Sequence, residues 1–291
     1  MSLSKFDWYE CTLYNVYPSE ARLFGFSVLE DYCIVEKVAL EDFYCEMERG
    51  FQHYRASMTF YDENRIAVFR LLMNEDSPVH FIATGKRAPV LSGIVRKLQP
   101  NHAVTRADSA LDFIGNPDDF RNVCNCVIEC RNNSNGRKLS LTQIKQEKGG
   151  ETLYLGSMKS ESFLRVYDKA HEQRQILPRH LHYQLPQLWT RAEIVVRPSD
   201  KVQRAFLSKC EPDSVWSFNP ACSEFLRYLN EAETPIRPAV PPRTEDFDRA
   251  WWAMLYQYRR AILHQVNCRL RGSWSDLGNL IYEEMSKADF F

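Results

Sequence analysis

The chain has no run of eighteen apolar residues, so no membrane-spanning helix is expected. Its opening, Met1-Ser2-Leu3-Ser4-Lys5-Phe6-Asp7-Trp8, lacks an apolar signal core, and a cytoplasmic protein with no membrane partner is the expectation. Net charge is nearly absent as well. Thirty-seven Lys and Arg stand against 38 Asp and Glu, which argues against coating nucleic acid by bulk charge but leaves room for a local basic face. A glycine-rich phosphate cradle is also missing. Gly85-Lys86 is the one Gly-Lys pair, but His80 stands where a P-loop needs its earlier glycine and Arg87 where it needs Ser or Thr. An ATPase or helicase motor is therefore not expected in this chain.

Cysteine is present but unorganised. Nine scattered cysteines, an odd number without an export signal, point to free thiols in a reducing compartment. Cys124, Cys126 and Cys130 invite a zinc reading, yet no second knuckle lies nearby, although Cys210 or Cys222 could complete a set. Buried thiols on one helix are the favoured reading. His180-Leu181-His182 suits a strand-borne metal pair, but Pro178 and Pro186 flank it and favour a loop.

What is there suffices for one large domain or two modest ones: 291 residues, 44% hydrophobic and 26% charged. Aromatics reach 13%, which serves either core packing or stacking on unpaired bases. Strands are expected at 6–12, 54–61, 66–72, 79–84, 103–113, 139–145, 151–157, 162–169 and 188–197. Helices are expected at 40–49, 118–130 and from 201 to 207, with a helix or turn element at 91–98, a turn or cap at Glu30-Asp31 and no internal repeat. Four prolines at 235, 238, 241 and 242 mark a linker. The expected organisation is an α+β body at 1–230, a Pro-rich linker at 231–243 and a helical region at 244–291.

Several of these strands carry polar groups on one face. Period two places Arg106, Asp108 and Asp112 together on the 103–113 strand, with the two carboxylates roughly 13 Å apart along it. It places Phe163, Arg165, Tyr167 and Lys169 together on the next patterned strand, and Arg191 with Glu193 on another. A phenol titrating near 10 is a poor nucleophile at neutral pH, and neighbouring cations are expected to lower its pKa. Carboxylates that bind a divalent ion can stabilise the charge developing on a phosphate, and hard oxygen ligands suit magnesium or manganese. The pattern fits attack on a phosphodiester with a covalent phosphotyrosyl intermediate. Taken alone, the pattern is better accounted for by an amphipathic strand with a solvated charged face.

The run from Gly149 to Lys169, Gly-Gly-Glu-Thr-Leu-Tyr-Leu-Gly-Ser-Met-Lys-Ser-Glu-Ser-Phe-Leu-Arg-Val-Tyr-Asp-Lys, resembles the signature of the replication initiation factor family. That family comprises rolling-circle initiators of plasmids and filamentous phages, with related relaxases. Three looser likenesses support it: Asp7-Trp8 in a first strand, Thr105-Arg106-Ala107-Asp108 through Asp112, and Arg191-Ala192-Glu193. The resemblance spans roughly residues 5–260. It implies an antiparallel palm-like sheet with packed helices, plus a helical C-terminal tail. It implies Tyr167 as nicking nucleophile, with Arg165 and Lys169 holding phosphate or assisting the phenolate. Asp108, Glu193 and, least securely, Asp112 become candidate ligands for Mg2+ or Mn2+. Glu172 meets the family pattern after the lysine, with His171 as a variation.

Charge distribution points the same way. Residues 1–60 carry a net −5, whereas 131–174 carry a net +4. Arg106, Arg137, Lys138, Lys159 and Arg191 are the candidate DNA contacts, joined by Arg249, Arg259, Arg260, Arg269 and Arg271 in the tail. Implied partners are origin DNA, single-stranded or hairpin, together with a host helicase and polymerase, and a homodimer is an open possibility. The leading expectation is origin-specific nicking and rejoining of one DNA strand. The alternative is a non-catalytic origin-binding or regulatory protein.

Overall fold

A computed structural model describes residues 4–134, 138–145, 149–177, 179–229, 266, 273 and 275–279. The chain divides into two compact units, Met1–Pro241 and Pro242–Phe291. Among its described residues the first holds ten strands: β1 Lys5–Leu13, β2 Phe43–Arg49, β3 Ala56–Asp62, β4 Ala67–Met73, β5 His80–Thr84, β6 His102–Ile114, β7 Leu141–Lys145, β8 Glu151–Leu155, β9 Ser162–Asp168 and β10 Trp189–Val196. Its helices are α1 Ala21–Glu36, α2 Ala88–Leu98, α3 Asp119–Asn133, α4 Lys169–Ile176, α5 Lys201–Leu207, α6 Pro212–Val215 and α7 Pro220–Leu229. In the second unit, residues 275–279 are helical. The linker at 231–243, most of the tail and its five arginines lie outside the described residues.

All ten strands form one antiparallel sheet in the order β2-β3-β4-β5-β1-β6-β10-β9-β8-β7. The order contains a repeat that the sequence does not announce. Outward from the centre, the first half runs β1, β5, β4, β3, β2, and the second runs β6, β10, β9, β8, β7. In each half a helix follows the first strand and another follows the last. The antiparallel β1–β6 pair joins the halves, so the topology is that of a pseudo-two-fold.

Alternation along the strands sorts side chains onto two unlike faces. Tyr9, Cys11, Ala107, Leu111, Leu153, Leu164, Val166, Ala192 and Ile194 face one way and join one apolar cluster with Leu29, Leu91, Val127, Leu207 and Phe225 of the helices. Trp216 is fully buried there, and its indole N–H donates to Ser109 Oγ at 2.9 Å. Helix α1 lies so close to the sheet that a Cβ on Gly25 would come within 2.4 Å of the Phe60 ring. The other face is polar across the central strands.

Two expected elements differ. Residues 40–49 form a short 3₁₀ turn, Leu40–Asp42, followed by strand β2, not a helix. The helix-favouring Glu, Met and Leu of this stretch are overridden by pairing along β3 from Phe43↔Asp62 to Arg49↔Ala56. Glu30-Asp31 lies inside α1, which closes at Lys37 in the left-handed conformation (φ 57°). Its buried residues Val28, Leu29, Tyr32 and Cys33 form a stripe that the acidic pair interrupts in sequence but not in space. Residues 179–184, with His180 and His182, form a 3₁₀ turn, and His182 Nε2 bonds the Leu177 carbonyl at 2.9 Å. Among the described residues, no helix is long and apolar enough to cross a membrane.

Candidate active site on the polar sheet face

Register builds the site. Glu193 on β10 lies between Ala110 of β6 and Arg165 of β9, and Arg191 lies between Asp112 and Tyr167. Asp108 stands opposite Val195 on one side and Trp8 of β1 on the other. Side chains of paired residues on neighbouring strands project to the same face. Arg106, Asp108, Arg165, Tyr167 and Glu193, far apart in sequence, therefore share one surface.

Hydrogen bonds tie them together. Tyr167 Oη donates to Glu193 Oε2 at 2.8 Å. Arg165 Nη2 donates to both Glu193 oxygens, at 2.9 and 3.1 Å, and its guanidinium lies 4.7 Å from the Tyr167 ring centre. Lys169 opens α4, whose N-cap Asp168 accepts from the His171 N–H. From there Lys169 Nζ reaches Tyr167 Oη at 3.3 Å and Glu172 Oε2 at 2.5 Å. Arg106 forks onto Asp108, with Nε at 2.9 Å, and lies 4.0 Å above the Trp8 ring.

The electrostatics differ from the expectation for the phenol. Burial, then the Glu193 charge, raises the Tyr167 pKa, and Arg165 opposes this without reversing it. The neighbouring cations do not lower it on balance, because burial and the Glu193 and Glu172 charges outweigh Arg165 and Arg191. Glu193 titrates below its ordinary value: burial pushes it up, but the Arg165 charge and hydrogen bonds pull it down further. Burial drives Asp108 up to about 7, with the Glu193 charge adding to the rise and the Arg106 fork opposing it.

The Asp108 shift has a consequence for stability. An unfolded Asp titrates near about 3.9, so folding takes up a proton at pH values between there and about 7. The stability linked to this proton is fully present below the unfolded pKa and is lost as pH rises through the folded one. Asp108→Asn, which does not titrate, is expected to gain in melting temperature relative to the parent between pH 4 and 7 and to level off above. Thermal denaturation in EDTA from pH 4 to 8 measures this. A gap that stays constant with pH would contradict the shift.

The remaining candidates fall elsewhere. Asp112 accepts from Arg191 Nε at 2.7 Å, Arg191 Nη2 at 2.9 Å and Trp189 Nε1 at 2.7 Å, and Lys5 lies 2.7 Å away. It belongs to an ion-pair cluster of its own, apart from the Asp108–Glu193 pair. Arg191, expected to face DNA, has a side chain only 3% exposed, held between Asp112 and Asp7 at 2.5 Å. Asp7 reaches it from a bulge in β1. Lys138 is exposed and donates to the Arg131 and Ser134 carbonyls, closing the end of α3. Lys159 is exposed in the β8–β9 turn, and Arg137 lies outside the described residues.

Sequence reading missed one neighbouring pair. His80 Nε2 bonds Glu10 Oε1 at 2.8 Å, and Trp8 Nε1 donates to Glu10 Oε2 at 3.0 Å. The β1–β6 register places Glu10 opposite Arg106. No local signal links residues 10 and 80; only the strand order does. Cys124 and Cys130 are buried free thiols and Cys126 is half-buried, with burial raising all three. Among the described residues, no group of three or more His, Cys, Asp or Glu is arranged to hold a metal ion.

A family model described as replication initiation factor matches residues 102–255. This is more than half of the chain, and it spans Asp108, the tyrosine strand and Glu193. The chain belongs to the replication initiation factor family. A solved structure of a rolling circle replication initiator protein from Geobacillus stearothermophilus is similar at 16% identity, covering 81% of this chain and 98% of that one, with a TM-score of 0.49. No curated protein matches.

Proposed function

We propose that this initiator nicks and rejoins one strand of its origin through a covalent bond to Tyr167. The observation that carries the reading is the Tyr167 hydroxyl, 2.8 Å from Glu193 and 3.3 Å from Lys169, on the sheet face that also carries the buried Asp108. In the proposed step the Tyr167 oxygen attacks the scissile phosphorus. The Oη–P bond forms, the P–O3′ bond breaks, and the phenol proton passes to Glu193, its hydrogen-bond acceptor. The DNA 5′ phosphate is left on Tyr167, and the free 3′ oxygen takes a proton from water. Rejoining runs the same step backwards.

A general base is needed because burial and Glu193 keep the phenol protonated. Lys169 and Arg165 then face the phosphate's charge as the phenol loses its own proton. Arg165 Nε is buried without a partner among the described residues, and a phosphate oxygen is the kind of acceptor it lacks.

The donor set fits a hard divalent cation. Asp108 and Glu193 are buried carboxylates, and magnesium is commonly bound by one or two carboxylates plus substrate phosphate. Asp108 and Glu193 would hold it once DNA draws Arg106 and Arg165 toward phosphate. Bound magnesium or manganese would supply stabilisation of the charge on the phosphate.

The test incubates the protein with labelled single-stranded origin DNA and magnesium or manganese, and reads a denaturant-resistant protein–DNA adduct. The expected result is an adduct that forms only with a divalent ion and is lost in EDTA. Salt-sensitive origin binding with no adduct would overturn nicking and leave a binding protein.

A further inference from the structure

A cavity of about 170 Å³ opens beside the proposed nucleophile, between β8 and α4. Tyr167, Arg165, Thr152, Tyr154, His171 and Gln175 line it. It is far roomier than the ~10–15 Å³ that one water needs. It is smaller than the roughly 300 Å³ at which pockets for cofactor-sized ligands begin. One planar ring system fits that range; a whole nucleoside triphosphate does not.

The walls suit such a ring. Thr152 and Tyr154 project from β8 opposite Tyr167 and Arg165 of β9. Tyr154 leans on Phe163, with ring centres 6.4 Å apart, and Arg197 lies 5.5 Å above Phe163. His171 closes the other side and bonds Gln175 at 2.7 Å. Its position depends on the Gly149-Gly150 turn, where both residues have positive φ (91° and 88°). A Cβ on Gly150 would come within 2.6 Å of His171 Cδ2, so only glycine lets the imidazole sit against the hairpin. The Thr152 and Tyr154 hydroxyls have no hydrogen-bond partner among the described residues. Two aromatic rings with free or amide donors at the edge are the chemistry of base stacking and edge recognition. A second cavity of about 210 Å³ shares Gly150, Glu151 and Asp168 with the first and is lined by Phe120 and Trp189.

We propose that the cavity beside Tyr167 holds one unstacked nucleobase of the strand to be cut, from the nucleotide next to the scissile phosphate. The inference rests on the nicking reading and deepens it. Lodging the base there fixes the register of the phosphate against Tyr167 and lets the Gln175 and Thr152 groups read the base edge. Stacking of this kind is sequence-tolerant in itself; the polar edge groups add preference.

The experiment measures binding of the full chain by fluorescence anisotropy, without divalent ions. The probes are fluorescein-labelled (dT)10, (dA)10 and an abasic ten-mer carrying the same phosphates. The parent is expected to bind the abasic strand about tenfold or more weakly, in line with the worth of one stacked base. Tyr154→Ala should shrink that gap to less than threefold while the abasic strand binds as before. Gln175→Ala, at an exposed helix position, should narrow the gap at least twofold, and it guards against a misfolded Tyr154 variant. Equal affinity of the parent for all three strands, no binding of any, or a gap kept by both variants overturns the pocket. Adduct formation with origin DNA and magnesium is measured on the same proteins. Adducts without base discrimination sink the pocket alone. Discrimination that both variants weaken, without adducts, sinks nicking alone.

Discussion

Tyr167→Phe is expected to form no covalent adduct, a loss of at least about 10⁴-fold, while keeping its fold and its affinity for origin DNA. The substitution removes only the hydroxyl that the proposed chemistry uses. The ring is 5% exposed, and phenylalanine fills the same space under the Arg165 guanidinium. Glu193 retains its two hydrogen bonds from Arg165, so the buried carboxylate is not stranded. Folding stability should change by no more than about 1 kcal/mol, the net worth of one hydrogen bond. Glu193→Gln makes the contrast. It keeps the shape and an acceptor oxygen but can neither take the phenol proton nor hold a divalent ion as a carboxylate does, and loss of a general base alone costs about 10²–10⁴-fold. Gel analysis of labelled DNA after denaturation, beside a binding titration, reads both variants. An adduct from Tyr167→Phe at the parent rate would place the nucleophile elsewhere.

The polar face was legible in the sequence because a strand of period two declares which residues travel together. Arg106 with Asp108, Arg165 with Tyr167, and Arg191 with Glu193 are visible as alternating pairs. What alternation cannot supply is the neighbour on the next strand. Asp108 meets Glu193 because β6 pairs with β10, and Glu10 meets His80 because β1 pairs with β5. The same limit hid the repeat. The two five-strand halves share an order of strands and helices but no residue pattern that period-hunting detects. β2 differs from the helix expected there for a related reason: an edge strand owes its conformation to one partner, and its Glu, Met and Arg favour helix while Phe43 and Tyr44 favour strand. The roles of the charges are not legible in composition. Sequence counts them, but burial decides what they do: Arg191 is a cation in composition and a structural pin in the sheet. The phenol likewise ends less acidic, because burial and the Glu193 charge outweigh the lowering by Arg165 and Arg191.

That pin yields the largest expected loss of stability. Arg191 sits on the strand beside Tyr167 and joins Asp7 of β1 to Asp112 of β6, so one guanidinium ties three strands together. Arg191→Ala would leave both aspartates without it in a nearly dry site. Removing one partner of a buried ion pair costs about 3–5 kcal/mol, mostly through the charge left behind. For a unit of this size that is a fall in melting temperature of about 6–20 °C. Neutralising the stranded acids should recover most of it. Arg191→Met combined with Asp7→Asn and Asp112→Asn is therefore expected to be closer to the parent than Arg191→Met alone, because buried ion pairs are often replaceable by neutral groups. The pH dependence supplies an independent check. Burial would raise the Asp112 carboxyl, but the Arg191 hydrogen bonds and charge, with Lys5 and Trp189, pull it down to about 2. A depressed carboxylate stabilises above its unfolded pKa, near about 3.9, and loses that contribution as pH falls through its folded value. The deficit of Asp112→Asn against the parent should thus be constant above pH 5 and close between pH 4 and 2. Calorimetric melting of the parent and these variants across that range measures both effects. An Arg191→Ala protein that melts with the parent would show that the two aspartates need no cation, and the three-strand clasp would fall with it.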